Sequence, residues 1–201
     1  LTVVAGLGGS GKSSVVSNMA VSMAQDPQTA VLIFTMDVKR REYVRQMVYA
    51  GARLDSSLPA DKMDQDAAGR LEGSAKRIAS LPMWFDERRG LTVPQIESTI
   101  FTVQGEAARI GRKLTVVIDC LQLLKGGRGE EVPWQLADMA SERNVPLLAT
   151  SALIERYRPK KSAEVETLGT RLMQDVGRVI PALPVPLAAM ALLDANRPLT
   201  T

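Results

Sequence analysis

One stretch constrains this chain more than any other: Gly6-Leu7-Gly8-Gly9-Ser10-Gly11-Lys12-Ser13. It stands between a short apolar run, Leu1 to Ala5, and an amphipathic stretch, Ser13 to Ala24. In that second stretch Val15, Val16, Met19, Ala20 and Met23 recur at helical spacing. The spacing Gly6-x4-Gly11-Lys12-Ser13, set between a strand and a helix, is that of a phosphate-binding loop. Glycines let successive backbone N–H groups point inward and cradle phosphate oxygens. The N-terminus of the following helix adds partial positive charge. Gly8, Gly9, Ser10, Gly11, Lys12, Ser13 and Ser14 are therefore the candidate contacts for a nucleoside triphosphate, expected to be ATP. Lys12 would face the β- and γ-phosphates and the Ser13 hydroxyl would ligate Mg²⁺. The plainer alternative is a glycine-rich strand–helix turn with no ligand.

Downstream, apolar strands alternate with amphipathic helices, which predicts an α/β fold with a mainly parallel sheet. Val31 to Thr35 reads as a strand and Arg41 to Ala50 as a helix. A polar helical region covers roughly 61–80. Met83 to Phe85 reads as a short strand, and Thr92 as the cap of a helix with Pro94 in its first turn, ending near Gly111. Leu114 to Asp119 is the clearest strand. Lys125 to Glu131 reads as a glycine-rich charged loop, Trp134 to Arg143 as a helix and Val145 to Ser151 as a strand. Arg156 to Lys161 reads as a basic loop, and the apolar, proline-broken stretch from Val176 to Leu193 as one or two edge strands. No repeat or internal boundary is visible, so residues 1–201 read as one domain. Leu1 already belongs to a strand pattern, so the chain is expected to lack its natural N-terminus.

Composition narrows the chemistry. Histidine is absent, which excludes His-based acid–base catalysis, Ser-His triads and His-ligated zinc. Carboxylates, Lys, Arg, backbone amides and a hard metal ion must carry any reaction. The single cysteine, Cys120, permits no internal disulfide and fits a reducing, cytoplasmic setting. Cys120 itself reads as a buried small hydrophobe. No run of about 18 apolar residues suggests a transmembrane helix, and no membrane partner is expected. The formal charge of +3 permits a polyanionic partner without demanding one.

Asp119 ends the strand Leu114 to Asp119, where phosphate-loop proteins keep a second carboxylate associated with Mg²⁺. Capping the next turn is its ordinary alternative. Ser13 and Asp119 are thus the candidate metal ligands.

Five segments in order then carry a family resemblance: Leu1-Thr-Val-Val-Ala-Gly6 with its phosphate loop, Val31-Leu-Ile-Phe-Thr-Met-Asp37, Gly90-Leu-Thr-Val-Pro-Gln-Ile96, Val117-Ile-Asp-Cys-Leu-Gln-Leu123, and Asn144-Val-Pro-Leu-Leu-Ala149. Gln174-Asp175, followed by apolar residues, extends it. The chain resembles the C-terminal ATPase domain of replicative DNA helicases of the DnaB type. That resemblance implies a RecA-like fold, ATP and Mg²⁺ as ligands, assembly into a ring and single-stranded DNA as a partner. It also implies an N-terminal domain and a linker helix, neither of which is present in these residues.

Three positions depart from the family pattern. The family follows the second strand with a glutamate that activates the attacking water; Asp37 stands there, one methylene shorter. A glutamine that senses the γ-phosphate is replaced by Ala152. A Lys-x-Arg pair that reaches the neighbouring subunit's site is Ala195-Asn196-Arg197, which keeps only the arginine. Asp37, Lys12 and Arg197 are accordingly the candidate catalytic residues, Arg197 acting in trans. The resemblance further implies that Lys125 and Arg128, and then Arg156, Arg158, Lys160 and Lys161, follow single-stranded DNA by neutralising its phosphates. An ordinary solvated basic loop remains the alternative for both groups.

Two expectations of function stand side by side. One is a DNA-helicase motor domain. The other is a nucleotide-binding module of the same fold that hydrolyses slowly or not at all, serving assembly or regulation. A small-molecule kinase is disfavoured by the five segments, and a GTPase by the lack of an Asn-Lys-x-Asp motif.

Overall fold

The computed structural model describes residues 1–59, 62–126 and 131–153. They build five strands and five helices: β1 (Thr2–Gly6), α1 (Lys12–Gln25), β2 (Thr29–Thr35), α2 (Arg40–Ala52), α3 (Gln65–Ala79), β3 (Met83–Asp86), α4 (Val93–Arg109), β4 (Lys113–Asp119), α5 (Glu131–Glu142) and β5 (Leu147–Ala152). A 3-10 turn, Leu121–Leu123, follows β4. The strands form one sheet in the order β1-β5-β4-β2-β3, and every pairing is parallel.

The central strands are predominantly apolar because both faces of the sheet are covered. Successive side chains of β2 go to opposite cores. Ala30, Leu32 and Phe34 join Ile96 and Ile100 of α4 and Leu136 of α5 on one face. Val31 and Ile33 join Val16 and Ala20 of α1, Tyr43 and Met47 of α2 and Ile78 of α3 on the other. α3 is tied to α2 by the Ser74 hydroxyl, which donates to the Val48 carbonyl at 2.8 Å, and by Arg77, which donates to the Gly51 carbonyl at 3.0 Å. Trp84 and Phe85 are half-buried, Trp84 against the α4 core and Phe85 against the α1 core. Trp134 stays 40% exposed on α5.

Element boundaries follow local chemistry. The helix expected over 61–80 starts at Gln65 because the Asp64 carboxylate accepts from the Ala67 N–H at 2.7 Å and caps it there. α5 begins at Glu131, three residues before Trp134, since Pro133 needs no intrahelical donor in a first turn. β5 begins at Leu147, after Pro146, which has no N–H to give a ladder. The cap expected at Thr92 is formed, and Gln95 completes a capping box with it. Cys120 is half-buried rather than buried. The strands expected over 176–193 lie outside the described residues. No helix among the described residues is long and apolar enough to cross a membrane.

Candidate nucleotide site

Because all five strands run parallel, their C-terminal ends share one edge of the sheet: Gly6, Thr35, Asp86, Asp119 and Ala152. Open parallel sheets bind ligands in the crevice outside these ends. Gly6 pairs with Ala152 across β1 and β5, and Thr35 with Asp119 across β2 and β4.

The loop leaving β1 enters α1 through Gly11, which caps the helix in a left-handed conformation, φ 83°. Gly9 is left-handed too, φ 75°. L side chains avoid this region, so glycine keeps the loop unstrained. Gly8, Gly9 and Gly11 have no heavy atom of another segment within 4 Å of where a Cβ would sit, so the loop faces open space. No side chain caps α1, and its first turn carries no acidic residue. Its first N–H groups are thus left for an outside acceptor, a fit to phosphate. Lys12 Nζ donates to the Leu7 carbonyl at 2.7 Å, folding the cation back over the loop. Ser13 is half-buried in the first turn and Ser14 is exposed.

Asp119 is buried, and the Thr150 hydroxyl of β5 donates to its Oδ1 at 2.5 Å. One carboxylate oxygen is fixed by that bond and the other is available. The Met36 N–H donates to the Asp119 carbonyl at 3.0 Å, which brings the end of β2 to the end of β4. Asp37 is the next residue and is exposed. Cys120 reports the same convergence. Its thiol is pushed above its ordinary value by burial first and then by the Asp119 charge; Asp37 adds to this, while a backbone hydrogen bond and Lys12 oppose it. A serine hydroxyl and a carboxylate are hard oxygen donors, and Mg²⁺ takes few protein ligands and keeps several waters. The donor set therefore fits Mg²⁺. Among the described residues no group of three or more Asp, Glu, Cys or His gathers into a closed metal cage.

The other candidate residues divide sharply. Lys125 is exposed, its N–H donates to the Leu91 carbonyl at 2.9 Å, and its side chain lies along Gly90. Arg128, Arg156, Arg158, Lys160, Lys161 and Arg197 lie outside the described residues.

With this geometry in hand, comparison with known proteins is informative. The family model of the DnaB-like helicase C terminal domain matches residues 1–165. This chain belongs to the DnaB-like helicase C-terminal domain family.

Among curated relatives, the chain is 27% identical over 160 residues to the replicative DNA helicase DnaB of Synechocystis, covering 76% of this chain and 18% of that protein. It is 24% identical over 174 residues to the replicative DNA helicase DnaC of Bacillus subtilis, covering 80% and 37%. The chain therefore spans well under half the length of either relative. Among solved structures, a DnaB-like replicative helicase described with its primase interactions matches with a TM-score of 0.74 at 19% identity, covering 82% of this chain and 42% of that one. A solved ATPase domain matches at 0.72 and 19%, covering 81% and 60%. These likenesses place the fold as the RecA-like one of DnaB-type ATPase domains.

Against the DnaB-type pattern, three contacts at the strand edge went unread in the sequence. Thr150 holds Asp119. Gln122 Nε2 donates to the Ser151 hydroxyl at 2.8 Å and the Ala152 carbonyl at 2.9 Å, tying the turn after β4 to the end of β5. Arg89 Nη2 donates to the Asp37 carbonyl at 3.0 Å. Gln122 was visible within the Asp-x-Leu-Gln-Leu run, and Thr150 as one of two polar residues, with Ser151, in an otherwise apolar strand. Arg89 gave no signal of its own.

Proposed function

We propose that this chain is the ATP- and Mg²⁺-binding motor domain of a ring-forming DnaB-type DNA helicase, coupling ATP hydrolysis to movement along single-stranded DNA in the cytoplasm. The observation that carries this reading is the gathering of the phosphate loop, Asp119 and Asp37 on one sheet edge. In it Lys12 leaves the Leu7 carbonyl for the β- and γ-phosphates, while Ser13 and Asp119 hold the metal ion. Bound Mg²⁺ would neutralise charge on the phosphate oxygens. Asp37 accepts the proton of the attacking water. Arg197 of one subunit completes the next subunit's site, so turnover requires assembly. Lys125, Arg128, Arg156, Arg158, Lys160 and Lys161 neutralise DNA phosphates, which makes binding salt-dependent and indifferent to sequence. Residues 1–201 act as one such domain.

The test is ATP turnover by the assembled full-length protein, with and without single-stranded DNA. Turnover that rises with DNA is the expected result. Tight nucleotide binding with no turnover in any assembled state would rule out the motor.

A second reading, a nucleotide-binding module with impaired hydrolysis, draws on one specific observation. Ala152 ends β5 beside Gly6 and carries no group that could sense a γ-phosphate.

A further inference from the structure

The segment joining β3 to α4 starts Asp86-Glu87-Arg88-Arg89. Arg88 turns back onto the end of β3. Arg88 spreads its guanidinium over both oxygens of the buried Asp86 carboxylate, with Nη2 at 2.6 Å from Oδ2 and Nε at 3.0 Å from Oδ1. The same Nη2 donates to the Thr99 hydroxyl of α4 at 2.8 Å, and the Arg88 N–H closes the turn onto Asp86 Oδ1 at 3.0 Å. Two parallel bonds from a planar fork fix orientation as well as distance. The turn is thereby anchored to both β3 and α4.

The two residues flanking Arg88 both reach across to the connection between β2 and α2. Glu87 Oε2 accepts from the Arg40 N–H at 3.0 Å, an otherwise orphaned donor at the first position of α2. Lys39, the cap residue of α2, offers that helix no side-chain acceptor. Arg89 Nη2 donates to the Asp37 carbonyl at 3.0 Å. Only Met36, Asp37, Val38 and Lys39 separate β2 from α2. On its inner side this short connection is held by the Met36 N–H on Asp119 and by the Thr35 hydroxyl on the Val38 carbonyl.

We propose that Glu87 and Arg89 form a bracket that fixes where the Asp37 carboxylate stands, with Arg89 as the positioning residue. The proposal rests on the reading of Asp37 as the base. An aspartate reaches one methylene less far than a glutamate, so its backbone must stand in the right place. A misplacement of about 1 Å is worth up to about 100-fold in rate. Arg89 acts on the peptide carbonyl of Asp37, two residues beyond the strand end, where it sets the origin of that side chain without touching substrate.

The experiment uses the assembled full-length protein with single-stranded DNA. Arg89→Ala should lower kcat by about tenfold or more, with KM for ATP and nucleotide affinity within about twofold. Arg89→Lys should recover part of the loss, since one donor can still reach the carbonyl. In an Asp37→Asn background Arg89→Ala should cause no further fall, because its effect passes through Asp37. An unchanged kcat, or an equal fall in the Asp37→Asn background, overturns the proposal. If Asp37→Asn alone leaves turnover unchanged, or the unaltered protein has no turnover, the reading of the base has failed. Amide exchange over 36–40 then decides the bracket: faster exchange in Arg89→Ala supports it and unchanged exchange overturns it.

Discussion

The two ends of the nucleotide site are built differently. At the phosphate-and-metal end, the fold itself supplies the parts. The first N–H groups of α1 have no side-chain cap, and the Asp119 carboxylate is buried and held by Thr150. At the hydrolytic end, Asp37 is exposed on a four-residue connection, and its neighbours across the edge are the side chains of Glu87 and Arg89. Ala152 brings no functional group at all. Parts made of backbone survive most substitutions, whereas parts made of long side chains on connections are lost one at a time. On the proposed reading, binding and turnover can thus separate, with binding the sturdier of the two.

The comparison is broken most directly at its sturdy end. Lys12→Ala removes the one loop cation that can face the terminal phosphates while leaving every backbone donor in place. Hydrogen bonds to charged groups contribute roughly 1.5–3 kcal/mol, so affinity for ATP with Mg²⁺ should fall by about 10- to 100-fold. Lys12 is half-buried and bonded only to the Leu7 carbonyl, so the thermal unfolding midpoint should barely change. Calorimetry that returns an unchanged affinity would show that this loop is a structural turn.

The weaker end can be sharpened by repair. Asp37→Glu with Ala152→Gln restores two of the three side chains in which the chain departs from the DnaB-type pattern. General-base contributions are typically about 100- to 10,000-fold. A gain of about tenfold in turnover, in the assembled protein, is therefore a modest expectation. Nucleotide affinity should not move, since neither residue belongs to the phosphate loop. No gain in the assembled protein would mean that the two departures are not what limits hydrolysis.

What the sequence disclosed follows the same division. The phosphate loop was legible because its eight residues are contiguous and their glycine spacing states a backbone requirement. β4 was legible because a strand covered on both faces is predominantly apolar, as Leu-Thr-Val-Val-Ile is before Asp119 closes it. The order β1-β5-β4-β2-β3 was not legible, because periodicity marks which residues form strands and not which strands are neighbours. The helix over 65–79 was misjudged at its start because Asp61 and Asp64 offer similar caps, and only the bond to Ala67 selects Asp64. The bracket was hidden for a plainer reason. Arg89 and Asp37 stand 52 residues apart, and Glu87 and Arg40 stand 47 apart. In a linear reading Glu87, Arg88 and Arg89 are simply a charged loop.

The smallest effect concerns how the bracket itself is anchored, and it can be read through pH. Burial pushes the Asp86 carboxyl up, but the side-chain and backbone hydrogen bonds of Arg88, its charge, and the Thr99 hydroxyl together outweigh burial, so Asp86 lies below the ordinary aspartate value. A carboxylate whose value is depressed by folding stabilises the native state above its unfolded value, about 3.9. That stabilisation is lost as pH falls through the lower folded value. The anchor should accordingly hold unchanged from neutral pH down to about pH 4–5 and weaken only below that. Asp86→Asn removes the charge and leaves the fork of Arg88 with one acceptor in place of two. Arg88 is 60% exposed, so water screens the pair, and the loss at pH 7 should be on the order of 1 kcal/mol. Urea unfolding of Asp86→Asn and the unaltered protein would measure it at two pH values. The gap between them should be present at pH 7 and shrink as pH falls below about 4. A gap of constant size would show that Asp86 contributes through packing and neutral hydrogen bonds, and that the hydrolytic end is anchored less by charge than its geometry indicates.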